Sequence, residues 1–164
     1  MTKHGLAFTL SIWLAGAASA YADCDHFKWP LAREKAWFAQ ALKPVEAGAE
    51  IGLADQAFLL ALKPSEAASY LLPLKKAAAA GSFGGVVKVA SVPKAGTYEV
   101  TLSREAWVDV IQDQARAKSL NVSRQRDCAS LRKSVRFALN AGPAALQISG
   151  VDSSAIVFAL AAAP

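Results

Sequence analysis

Histidine, cysteine and methionine are nearly missing from this chain, which has two, two and one of them in 164 residues. Each scarcity excludes a chemistry. A zinc site uses about four clustered ligands, and a dithiol redox centre uses Cys-x-x-Cys. Cys24 and Cys128 stand far apart and meet neither requirement. Gly-x-Ser-x-Gly, His-Glu-x-x-His and the phosphate-cradling glycine motifs are also missing. The run GSFGG at 81–85 leads into a strand-like segment and reads as a turn or bulge. No internal repeat stands out. No apolar run reaches the roughly 20 residues of a spanning helix. No basic, aromatic-studded element suggests nucleic-acid binding. The net charge of +5 is mildly basic and by itself demands no polyanionic partner. No metal or cofactor is expected.

What is present begins with an export pattern. Lys3 and His4 precede the apolar run LAFTLSIWLAG, and two A-x-A sites follow, ending at Ala20 and Ala22. That order predicts a cleaved signal peptide over residues 1–22, cut after Ala20 or Ala22. Cys24 follows an acid, Asp23, rather than a lipobox, so no lipid anchor is expected. A single domain over 23–164 follows, large enough to bury about two-thirds of its unfolded surface. The alanine-rich composition suggests a bacterial periplasmic or secreted protein with no transmembrane segment in the mature chain.

Residues 29–42, WPLAREKAWFAQAL, predict a short amphipathic helix of about 30–42. Pro30 suits a first turn, and Leu31, Phe38 and Leu42 share a face. Pro44 ends the element. Beyond it the period becomes two. GTYEVTLS puts Tyr98, Val100 and Leu102 opposite Thr97, Glu99 and Thr101, and KSVRFALN and AALQISG alternate likewise. Seven or eight short strands separated by turn residues predict a mainly β fold, an antiparallel sandwich or barrel. The alternation implies one wet face per sheet. Residues 64–81 read as a long connection. Residues 113–133 read as a polar, basic stretch with one edge strand near 120–123.

KAGTYEVTLSREAWVDVIQD, with the flanking strands from Phe83 to Leu160, resembles the bacterial pre-peptidase C-terminal domains. That resemblance implies a jelly-roll-like β-sandwich accompanying a secreted enzyme. The whole chain after the leader, through CDHFKWPLAREKAWF, AGTYEVTLS, RDC and RKSVRFAL, resembles a family of small exported bacterial proteins of unknown function. Some of its members carry the label homogentisate 1,2-dioxygenase. A non-haem iron oxygenase needs two histidines and a carboxylate on one metal. After the leader this chain has His26 alone, so its residues argue against that activity.

Four features remain as candidates. Cys24 and Cys128 in an exported chain predict one disulfide, with free thiols, metal binding or intermolecular pairing as the alternatives. His26 beside Asp25 is either a base or metal ligand tuned by that carboxylate, as in a small periplasmic enzyme, or a structural histidine near that disulfide. In AWVDVIQ, Trp107 and Asp109 would stack and bond a sugar if they point outward, unless the helix or the basic loop covers them. Arg124, Arg126, Arg132, Lys133 and Arg136 flank Cys128 and form either an anion-binding surface or a solvated face. The leading expectation is a non-catalytic envelope accessory or binding module, taking a glycan, an anionic component or a protein partner. A purely structural envelope protein is the further alternative.

Overall fold

The computed structural model describes Cys24 and residues 26–164. The signal peptide expected over residues 1–22 and Asp25 lie outside the described residues. The fold is the mainly β architecture the alternation predicts, with one short helix and two packed sheets. Helix α1 spans Ala32–Phe38. Twelve strands follow: β1 Lys43–Glu46, β2 Glu50–Ile51, β3 Phe58–Ala61, β4 Lys63–Pro64, β5 Phe83–Val92, β6 Gly96–Leu102, β7 Trp107–Gln112, β8 Ala115–Arg116, β9 Ser119–Arg124, β10 Lys133–Leu139, β11 Gly142–Val151 and β12 Ala155–Ala162. One sheet runs β1-β3-β12-β6-β10-β9; the other runs β2-β5-β11-β7-β8, with β4 also paired to β5.

Three details depart from the sequence expectation. The count exceeds seven or eight because β1, β4 and β8 are short edge pieces that carry no alternation of their own, and because the edge strand expected near 120–123 forms β9. The sheets are mixed rather than purely antiparallel, since β1 runs parallel to β3 and β2 parallel to β5. The helix stops at Phe38 rather than near 42. Pro44 disfavours helix at the residue before it, and Lys43 already belongs to β1. Pro44 and Pro64 sit inside β1 and β4, where the missing amide donor is tolerated because both strands lie at sheet edges.

The core forms between the sheets from alternate residues. Phe58, Leu60, Tyr98, Val100, Leu102, Val135, Phe137, Ile156, Phe158 and Leu160 from the first sheet meet Val87, Val89, Val110, Leu146, Ile148 and Val151 from the second. Phe58 and Phe158 stack at 5.5 Å between centroids. At about 25 cal/mol per Å² of buried apolar area, this seam is the main favourable term.

The outer faces are drier than the alternation implies. Over the first sheet, Trp37 packs on Ala57, Ala159 and Ala161. Trp29 Nε1 donates to Ser134 Oγ at 3.2 Å, and the Lys28 amide donates to Ser123 Oγ at 2.9 Å. Glu99, Thr101, Ser123 and Ser134 are consequently buried although they point away from the core. Over the second sheet the long 65–82 connection lies on β11. Gln147 Oε1 accepts from the Leu71 and Leu72 amides, and Gln147 Nε2 donates to the Leu72 carbonyl. Each sheet therefore has a covered outer face, built by a segment without strand periodicity.

Candidate functional site

The arginines that flank Cys128 are distributed by where β9 and β10 end. Arg124 closes β9, and Arg126 and Arg132 lie in the following connection. That connection is closed by the Gln125 amide donating to the Arg132 carbonyl at 3.0 Å. It is tied to β6 by the Arg132 amide donating to the Leu102 carbonyl at 2.9 Å. Its tip is pinned by the Cys24–Cys128 disulfide, whose Cα atoms are 4.8 Å apart. Cys128 and Leu131 are fully buried against Phe27, Trp29 and Leu31. A loop tied at its neck and tip has little backbone entropy left to lose on binding.

These residues line an open groove of about 820 Å³. Arg124, Arg126 and Arg132 come from one side, and Arg104, in the turn between β6 and β7, joins them. Two carboxylates share the groove: Asp152 accepts from Arg104 at 3.1 Å, and Glu105 accepts from Arg124 at 3.1 Å. Arg126 and Arg132 make no ion pair among the described residues. The two existing pairs are solvent-exposed, and such pairs are worth about 0–1 kcal/mol each. Both yield readily to a ligand oxygen. Guanidinium forks match carboxylate, phosphate and sulfate bidentately, so the groove suits an anionic group.

Lys133 and Arg136 are drawn elsewhere by the strand period. Lys133 is buried. Its ammonium donates to the Ala106 carbonyl and to Glu105 at 3.1 Å, and lies 5.4 Å from the Trp107 ring centroid. Burial pushes the Lys133 ammonium below its ordinary pKa, and Glu105 opposes that shift. Arg136 is on the outer face of the first sheet, where it binds Glu99 and covers Trp29. Burial raises the Glu99 carboxyl above its ordinary range. The Arg136 hydrogen bond opposes this, and the negative charge of Glu34 adds to it.

Trp107 and Asp109 also part company. Trp107 is half exposed, at 49%, beyond the cover of helix and loop, whereas Trp29 and Trp37 are buried by the amino-terminal segment. Asp109 is bound by Lys75 at 2.7 Å and Arg116 at 3.0 Å. Arg116 also donates to the Pro73 carbonyl, so Asp109 anchors the 65–82 connection. His26 is exposed and does not line the groove. Among the described residues no group of three or more histidine, cysteine, aspartate or glutamate side chains is placed to hold a metal. No described helix is long and apolar enough to cross a membrane.

Sequence reasoning missed Arg104, Glu105 and Asp152. All three sit in turns between strands, and no local pattern brings 104, 126 and 152 together. Compared with protein-family models, curated proteins and solved structures, the chain matches none.

Proposed function

We propose that this is a non-catalytic, exported binding module of the bacterial envelope, and that the arginine groove receives an anionic group of its ligand. The observation behind this reading is the convergence of four arginines, three from the end of β9 and its following connection and one from the β6–β7 turn, on one open groove holding two carboxylates. A disulfide fits an oxidising compartment outside the cytoplasm, and the leader pattern supports export to the periplasm or beyond. The groove is lined by exposed charge pairs, which suit reversible binding of an anionic group.

Retention on immobilised dextran sulfate against neutral dextran tests the reading. The wild-type chain is expected to be held by the sulfated matrix alone and released by salt, because screening shortens the reach of exposed charge. The double variant Arg126→Glu, Arg132→Glu is expected to bind at least tenfold more weakly, about 1.4 kcal/mol. Equal retention of variant and wild type removes the groove from the function.

A further inference from the structure

We infer that the binding surface continues from the groove onto Trp107, and that the ligand it fits is an acidic glycan. This rests on the anion-binding reading of the groove. The continuity is carried by one carboxylate. Glu105 is a groove residue that accepts from Arg124 on one side and from Lys133 on the other. The Lys133 ammonium reaches over the Trp107 ring. The exposed Arg124 guanidinium, Glu105 carboxylate and Trp107 indole are thus neighbours, linked by the buried Lys133 ammonium.

Trp107 is a fixed platform rather than a loose side chain. Its position opens β7, paired with Ser149 of β11. The next residue, Gly150, has φ +71°, and a Cβ there would stand 3.4 Å from Trp107 Cδ1. A side chain at 150 would be strained by its backbone, and its Cβ would stand at van der Waals distance from the indole edge. Glycine lets the ring rest against the β11 backbone while the Lys133 cation holds it electrostatically. A large aromatic that is half exposed yet held in place presents contact area at small entropic cost.

The chemistry of this surface selects among anionic ligands. A pyranose ring has an apolar C–H face that an indole covers, and its rim carries hydroxyls and, in a uronate, a carboxylate for a guanidinium fork. Single-stranded nucleic acid stacks successive bases on several aromatics. Among the described residues Trp107 is the one aromatic among the large exposed apolar side chains, the others being Leu59, Leu71 and Leu120. A membrane-surface binder would ring its basic patch with apolar side chains, and none of those three leucines lines the groove. Glu105, exposed and shared between two cations, is the carboxylate that a uronate would replace.

The test uses the fluorescence of Trp107 in the chain without residues 1–22, which carry Trp13, because Trp29 and Trp37 are buried. An oligogalacturonate is titrated into the wild-type chain, Trp107→Ala and Trp107→Phe, beside a neutral oligosaccharide of equal length, a single-stranded oligonucleotide and phosphatidylglycerol vesicles. The expected result is a change in tryptophan emission with the oligogalacturonate alone. Trp107→Ala should lose at least tenfold in affinity by calorimetry and Trp107→Phe much less, whereas the groove variant Arg126→Glu, Arg132→Glu should lose affinity for oligogalacturonate and dextran sulfate alike. Unaltered oligogalacturonate affinity in Trp107→Ala, with dextran sulfate still bound, overturns the glycan platform and leaves the groove standing. Tighter binding of the oligonucleotide or the vesicles overturns the ligand class. Failure to bind either polyanion overturns the platform and the groove together.

Discussion

The Arg136 Nε donates to Glu99 Oε2 across 2.8 Å, joining neighbouring strands β10 and β6. The same guanidinium lies 4.3 Å from the centroid of the Trp29 ring. One side chain thereby neutralises a buried acid and seats the amino-terminal segment on the sheet. The arrangement is incomplete, because Glu99 Oε1 is buried without a hydrogen-bond partner among the described residues. Glu34, buried in α1, adds a second negative charge nearby, which Arg33 meets at 2.6 Å.

Glu99 therefore makes stability depend on pH in the direction opposite to a salt-bridged surface acid. Its folded-state pKa is raised above the ordinary 4.5, so between those values the native state holds a proton that the unfolded state has lost. Stability falls as pH rises through that window. Glu99→Gln is expected to remove this decline when urea unfolding is measured from pH 4.5 to about 8. An unchanged difference between the two proteins across that range would show that Glu99 titrates normally.

Arg136→Ala should be far more damaging than the loss of a surface arginine. It leaves Glu99 buried without its counter-charge and uncovers Trp29, a change expected to cost about 3 kcal/mol. Combined with Glu99→Gln, much of that cost should return, since no buried charge remains to be compensated. A purely additive double variant in chemical denaturation would argue that the two side chains are not coupled.

Lys133 acts at the other end of the pH scale. Its folded-state pKa is depressed below 10.5, so in that interval the unfolded chain binds the extra proton and stability rises with pH. Glu105→Gln withdraws the charge that limits the depression and should steepen the rise. Glu105 is largely exposed, so the loss at neutral pH should stay below about 1 kcal/mol. Thermal melts between pH 7 and 10.5 read both quantities; a flat difference would detach Glu105 from Lys133.

The disulfide should contribute strongly to stability. The cysteines are 104 residues apart, and closing so long a loop is worth up to about 4.7 kcal/mol in the chain-entropy model. Reduction, or Cys24→Ser with Cys128→Ser, should lower the melting temperature and free the tip of the 125–132 connection. Hydrogen exchange should then quicken at Ala129 to Leu131 before it quickens in β11. Uniform behaviour in both places would deny the disulfide a local role at the groove.

Gln147→Leu addresses the opposite face. It deletes the amide that holds the Leu71 and Leu72 backbone, at an expected cost of about 2 kcal/mol. The 65–82 connection should become the first site of proteolytic cleavage, while an uncut connection would mean that the Asp109 pairs hold it alone.

Much of this fold is legible because the inward strand residues repeat at a period of two. Tyr98, Val100 and Leu102 were assigned to one face by alternation alone, and they are buried together. The two cysteines, with no companions for any other chemistry, pointed to the bond they form. The β7–β8 hairpin was not legible, because Asp113 and Gln114 adopt positive φ without the glycine that usually announces such a turn. Nor did β1 or β4 show, since two to four residues with proline carry no period.

The sequence alone determined what local chemistry encodes: the strand faces, the scarcity of metal and redox ligands, and the two cysteines that pair. The tertiary structure decided which charges are spent on the fold and which face the groove. Lys133, Arg136 and Arg132 are close in sequence, yet strand register carries one to the Trp107 ring, one onto Glu99 and one into the groove. Arg104 joins the last from a distant turn. Side-chain direction alternates locally, but what stands opposite it is set by pairing between distant segments, and that information exists only once the sheets have packed.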